Sequence, residues 1–170
     1  MNLLLGISRG IDWLNDKVGK LLCWLVLASV VVSSGNAVVR YLFNQSSNAW
    51  LELQWYMFSA VFLLCAGYTL LNSQHIRIDI VNSRLTPKTR SVIDVIGHVF
   101  FLIPLCVLLL SEGWPYFVNA YVSGEVSSNA GGLIRWPARL LIVLGFALLL
   151  AQAISELIKR IAIMRGLIPD

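Results

Sequence analysis

The sequence predicts an all-α integral membrane protein, with an N-terminal amphipathic interfacial helix followed by four transmembrane helices. Only 13% of its 170 residues are charged, whereas 58% are hydrophobic. A soluble domain of this size carries about a quarter charged residues. Apolar runs of roughly 20 residues recur along the chain, and each is long enough to cross the ~30 Å hydrocarbon core of a bilayer. We treat residues 1–170 as a single membrane domain.

Residues 1–20 are too polar for a span and have the pattern of an amphipathic helix. Apolar side chains recur on one face, at Ile7, Ile11, Leu14 and Val18. Trp13 and the neighbouring lysines suit the membrane interface. We therefore expect a helix that lies along the membrane surface, and a frayed terminus is the alternative.

The first predicted span, residues 21–39, carries a row of polar side chains that we call the polar stripe. Its members are spaced by four, three and four residues and so share one helix face: Ser29, Ser33, Asn36 and Arg40. Polar side chains within lipid require protein partners. The stripe is therefore predicted to face other helices rather than acyl chains.

The second predicted span, residues 50–71, opens with Trp50-Leu-Glu52. An acid one turn into a span can serve as a proton or ion site, pair with a partner subunit, or end the helix at the interface. Because Glu52 lies near a surface, the interfacial or pairing role is favoured.

Charged residues also follow the second span. Arg77 and Asp79 alternate with isoleucines, which would place both charges on one side of an extended segment. The alternative is a solvated loop whose cations obey the positive-inside rule.

The third predicted span, residues 91–110, contains Asp94 and His98 on one face, and Pro104 predicts a kink. A proton relay, a haem ligand and a structural polar pair are all compatible with the Asp94 and His98 spacing. Haem would require a second ligand inside the membrane, and His75 lies beyond the end of its span.

Residues 111–136 are predicted to be the longest loop outside the membrane, because glycines, prolines and aromatic residues are concentrated there. The fourth predicted span, residues 137–154, follows Arg135-Trp136, where a tryptophan suits the interface. Beyond this span, Glu156 and Arg160 have the spacing of a helical ion pair.

The distribution of cations predicts the topology. Ten of the 13 lysines and arginines lie in the N-terminal segment, the loop after the second span and the C-terminal tail. The positive-inside rule therefore places both termini in the cytoplasm and the 111–136 loop outside. Because these cations flank apolar runs, the net charge of +4 does not indicate nucleic-acid binding.

The sequence contains no pattern that predicts catalysis, a metal site or a bound cofactor. Its two histidines and three cysteines are scattered, and it has no glycine-rich phosphate loop. The candidate functional residues are isolated polar groups in or beside the spans.

The chain resembles the small membrane subunit, DctQ-type or Q subunit, of tripartite ATP-independent periplasmic (TRAP) transporters. The likeness covers nearly the whole chain. Its motifs are Trp50-Leu-Glu52, His75-Ile-Arg77-Ile-Asp79 and Leu85-Thr-Pro87-Lys-Thr-Arg90.

This resemblance implies an accessory subunit that scaffolds the large multi-span permease (M) subunit in the bacterial inner membrane. A periplasmic substrate-binding protein would deliver an organic acid, whose uptake a sodium gradient would drive. The cationic helix ends would contact phospholipids. The alternatives are a membrane anchor of a respiratory redox complex and a small four-helix exporter.

Overall fold

The computed structural model describes residues 2–44, 47–72 and 86–165. The helices in this part of the chain are α1 (Asn2–Phe43), α2 (Asn48–Leu71), α3 (Pro87–Gly97), a π-helical turn (His98–Leu102), α4 (Ile103–Ser123) and α5 (Trp136–Met164). Within these described ranges, four continuous helices are long and apolar enough to cross a membrane, namely Leu3–Phe43, Asn48–Leu71, Thr89–Ser123 and Trp136–Met164. The predicted all-α fold with four potential spans is confirmed.

The N-terminal segment and the first predicted span form one continuous helix, so the predicted boundary between residues 20 and 21 is wrong. No proline interrupts this stretch. Ser8 and Asn15 are fully buried against α5, whereas the predicted membrane-facing residues Ile7 and Leu14 are about half exposed. The polar face of residues 8–15 packs against α5, and the helix runs without a break to Phe43.

The third membrane helix runs past the predicted end at residue 110, so the first half of the predicted 111–136 loop is helical instead. Helix α4 continues to Ser123 with Pro115 inside it, and it ends at Gly124, whose φ is 61°. Glycine adopts this left-handed conformation without steric cost. Buried Gly113 packs on Val143 of α5, which supports the helix where its composition suggests a loop.

The irregularity expected at Pro104 is a π-helical turn just before it. The N–H of Ile103 donates to the carbonyl of His98, five residues earlier. Because Pro104 has no N–H to donate, the regular hydrogen-bond pattern cannot continue through this point.

Among the described helices, α5 is central and packs against all the others, while α1 also packs along α2. The α2–α5 contact is close because Gly145 leaves room for Leu63, whose backbone oxygen would lie 2.9 Å from an added Cβ. Small residues of this kind permit close helix approach within membranes. Among the described residues, α2 and α4 share no extended contact, so a groove separates them over α5.

Candidate functional site

A short hairpin, residues 124–135, connects α4 to α5 at one end of the bundle. Its two arms are joined by hydrogen bonds from the Ser127 N–H to the Leu133 carbonyl and from the Arg135 N–H to the Glu125 carbonyl, both 2.9 Å long. Val126 and Ile134 face each other as an isolated antiparallel bridge.

Glu52, near the start of α2, binds the hairpin through its carboxylate. Its side chain is buried, and Oε2 accepts the Leu133 N–H at 2.7 Å. Oε1 accepts the Asn129 amide at 2.9 Å and the Ser127 hydroxyl. The Glu52 carboxylate therefore has its hydrogen-bond partners within the chain.

Two further residues on the same face of α2 contact the hairpin, and neither was predicted. The Asn48 side chain donates to the Ala130 carbonyl at 2.9 Å, and the Tyr56 hydroxyl donates to the Ile134 carbonyl at 3.1 Å. Their four-residue spacing from Glu52 places all three on one face, and this spacing was the available signal.

Arg139 secures the other side of the hairpin. Its guanidinium donates to both Glu125 oxygens at 2.6 and 2.7 Å and to the Tyr116 carbonyl at 3.1 Å. It also lies 3.8 Å from the centre of the Tyr116 ring. The predicted site residue Arg135 makes only a looser 3.6 Å contact with Glu125. A charge one turn inside an apolar helix was the signal for Arg139. We call Glu52, Glu125 and Arg139 the hairpin clamp.

The opposite end of the bundle contains a buried polar network between α1 and α5 that sequence reasoning missed. Asp12 accepts hydrogen bonds from Gln152 and Ser155, both 2.8 Å long, and pairs with Lys159 at 3.1 Å. Asn15 donates to Gln152 at 2.9 Å. We call the group the α1–α5 polar network, and it comprises Ser8, Asp12, Asn15, Gln152, Ser155, Glu156 and Lys159.

Two predicted ion or hydrogen-bond pairs near this end are wrong in detail. His98 Nδ1 donates to the backbone carbonyl of Asp94 at 2.6 Å rather than to its carboxylate. The Asp94 carboxylate pairs instead with Arg160 of α5 at 3.3 Å, while Glu156 pairs with Lys159. A contact between helices replaces the predicted partner of the Asp94 carboxylate, whereas Glu156 pairs with a different residue of its own helix.

Arg139 and Lys159, one charge from each site, lie about one membrane thickness apart. Arg139 and Lys159 are separated by 20 positions of α5. At 1.5 Å per residue this is roughly 30 Å, the thickness of the hydrocarbon core. Charged and hydrogen-bonded groups therefore mark two levels with an apolar band between them.

The family sequence model for the DctQ component of tripartite ATP-independent periplasmic transporters matches residues 29–162 of this chain. The chain belongs to this family. The family match therefore confirms the resemblance found in the sequence, and the protein is a multi-pass membrane subunit of the TRAP transporter type.

A curated relative supports the assignment. A protein of Haemophilus influenzae, provisionally named a TRAP transporter small permease protein, is 26% identical over 154 residues. The alignment covers 89% of this chain and 94% of the relative. No solved structure matches the chain significantly.

The polar stripe of this DctQ-type chain is largely unpacked. Ser33 and Arg40 are exposed, and Ser29 donates to the Val26 carbonyl of its own helix at 2.7 Å. Asn36 lines an open groove of about 800 Å³ between the end of α1 and the start of α2. The other predicted site residues, Arg77 and Asp79, lie outside the described residues.

Proposed function

We propose that this chain is the small scaffold subunit of a TRAP transporter, which associates with a large permease subunit in the inner membrane. The family match over residues 29–162 carries this proposal. The complex takes up an organic acid, delivered by a periplasmic binding protein and driven by a sodium gradient. Among the three functions considered from sequence, the family match favours this one over a respiratory anchor or an exporter.

The polar stripe is the proposed contact with the large subunit. Serine, asparagine and arginine side chains are costly when they face acyl chains, and helices in membranes commonly associate through such groups. Within the described residues, no helix of the chain covers Ser33 or Arg40. A neighbouring helix of the permease would cover them.

The proposed orientation places both termini in the cytoplasm and the hairpin in the periplasm. The cation count supports it, because among the described residues the cations of residues 2–20 and 155–165 lie at the end opposite the hairpin. The hairpin then presents its exposed residues Val126 and Ile134 toward the binding protein.

The assembly test is a mild-detergent purification of the C-terminally tagged chain, with co-purifying proteins identified by mass spectrometry. A stoichiometric multi-span permease is the expected result. Recovery of the chain alone, or with a redox flavoprotein, contradicts the proposal.

Two adjacent serines supply a matched control for the stripe. Ser33→Leu lies on the stripe and Ser34→Leu lies off it, although both side chains are exposed. We expect Ser33→Leu, combined with Arg40→Leu, to reduce recovery of the permease, while Ser34→Leu leaves it unchanged. Equal recovery in all variants would remove the stripe as the contact.

Transport is tested in proteoliposomes that contain the purified complex and its binding protein. An inward sodium gradient is expected to drive accumulation of an organic acid, and accumulation should stop when the gradient is collapsed. Uptake that persists without sodium contradicts the assigned coupling ion.

Orientation is tested in intact cells with an impermeant thiol reagent. In a background without Cys23, Cys65 and Cys106, a cysteine introduced at Ser128 of the hairpin should be labelled from outside. A cysteine introduced at Arg165 should be protected. The reverse pattern would overturn the topology.

A further inference from the structure

The groove between α2 and α4 has no occupant within the described chain. It lies directly beneath the hairpin, has α5 as its floor, is open on one side and has a volume of about 400 Å³. Cavities of this size are typical of small-molecule sites.

The lining of the groove changes from polar to apolar with depth. Arg135 lies at the hairpin end with the aromatic side chains of Trp55 and Tyr116, and Leu63 and Ile142 lie deeper. Leu63 is 11 positions along α2 from Glu52. This separation is about 16 Å, close to the thickness of one leaflet of the hydrocarbon core.

Arg135 has hydrogen-bond donors available at the mouth of this groove. Two other charged groups in the lining, Glu52 and Arg139, are already held by several close hydrogen bonds each. The Arg135 side chain is 41% exposed, and its nearest carboxylate is 3.6 Å away. A partly exposed guanidinium with no closer acceptor can donate hydrogen bonds to a phosphate oxygen.

We propose that this groove binds one membrane phospholipid. Its phosphate would contact Arg135, and one acyl chain would lie between Ser59, Leu63 and Ile142. Charge complementarity at the mouth, apolar walls below it and a depth of one leaflet all match an amphiphile of this kind. The proposal is independent of transporter assembly, because it concerns the isolated chain.

Native mass spectrometry of the purified, delipidated chain tests the site. The probes are phosphatidylethanolamine and, as a phosphate-free comparison, diacylglycerol with the same acyl chains. We expect one retained phosphatidylethanolamine and no retained diacylglycerol. Arg135→Gln should reduce the phospholipid-bound fraction by roughly tenfold, as expected when a charge-assisted hydrogen bond is lost.

A second variant acts on the acyl-chain end. Ser59→Phe fills the groove and should abolish phospholipid retention, whereas Ser34→Phe, on the exposed surface of α1, should retain it. Circular dichroism of both variants checks that the helices are intact. Equal retention of phospholipid by helical Ser59→Phe and Ser34→Phe overturns the site.

The remaining outcomes also decide the question. Equal retention of diacylglycerol would overturn the phosphate contact at Arg135. If the unmodified chain retains no phospholipid, or forms a dimer that excludes it, the groove is covered by protein and the proposal is wrong.

Discussion

The Glu52 carboxylate and the Leu133 backbone amide are joined by a 2.7 Å hydrogen bond across 81 positions of the chain. This contact links the first turns of α2 to the hairpin that precedes α5. Arg139 and Glu125 secure the other side of the hairpin. The hairpin that connects α4 to α5 is therefore a preorganised surface, held by side chains of α2 and α5.

Removal of the Glu52 carboxylate should loosen the hairpin. Glu52→Ala leaves the Leu133 amide and the Asn129 side chain without their acceptor. We expect amide hydrogen exchange at Leu133 to accelerate by roughly tenfold or more, since hydrogen bonds to charged groups are among the stronger ones. Asn48→Ala removes one exposed hydrogen bond and is the control, with a smaller effect. Unchanged exchange at Leu133 in Glu52→Ala would contradict the clamp.

Arg139 should not be replaceable by lysine. A lysine ammonium cannot reproduce the paired contacts with Glu125, the bond to the Tyr116 carbonyl and the stacking on its ring. We expect Arg139→Lys to lower the free energy of unfolding by about 2 kcal/mol, measured by denaturant titration in detergent micelles. Arg135→Lys is the matched control, because its pair is long and partly exposed. Similar losses of unfolding free energy in Arg139→Lys and Arg135→Lys would contradict the larger contribution assigned to Arg139.

Lys159 neutralises two acids in the α1–α5 polar network. Lys159→Met leaves Asp12 and Glu156 close together without their cation. Breaking a buried pair in this way typically costs about 3–5 kcal/mol, and the side chains here are about one-fifth exposed, so we expect about 2 kcal/mol. Adding Asp12→Asn should restore part of the loss. A double-mutant cycle on unfolding free energies measures this coupling, and strictly additive losses would argue against it.

Gly145 should be required for the contact between α2 and α5. An added Cβ would lie 2.8 Å from the Leu63 Cβ and 2.9 Å from its backbone oxygen, which cannot move independently of the helix. We expect Gly145→Ala to cost about 1–3 kcal/mol in unfolding free energy. Gly35→Ala, with nothing within 4 Å, should be neutral or stabilising by up to about 1 kcal/mol. The prediction fails if both variants have the same stability.

Much of the fold could be predicted because the bilayer sets the length and the apolar composition of any helix that crosses it. Apolar runs gave the number of potential spans, and Trp50-Leu-Glu52 marked the start of α2 near Asn48. Helix ends were harder to predict. Gly113 and Pro115 suggested a loop, yet packing of α4 on α5 keeps them in a helix.

The candidate site was only partly predictable from sequence. Glu52 and Arg135 were identified as isolated charges near a surface, but Arg139, Asp12 and Gln152 were not. Their partners lie on other elements of the fold: Asp12 and Gln152 are 140 positions apart, and Arg139 pairs with Glu125 of the hairpin. Spacing along one helix cannot reveal such pairs. Asp94 and Glu156 were each predicted to pair with a residue four positions away on the same helix. Asp94 instead pairs with Arg160 of α5, and Glu156 pairs with Lys159, three positions away.

The sequence by itself determined that this protein is helical, apolar enough to span a membrane four times, and similar to the small TRAP subunits. These properties follow from local composition and motifs, because each membrane helix must satisfy its own backbone hydrogen bonds. Only the tertiary structure decided that α1 continues unbroken, that Glu52 holds a hairpin and that Asp12 meets Lys159. Each of these depends on which helix faces which, and that is settled by packing among α1, α2 and α5 rather than by any one segment.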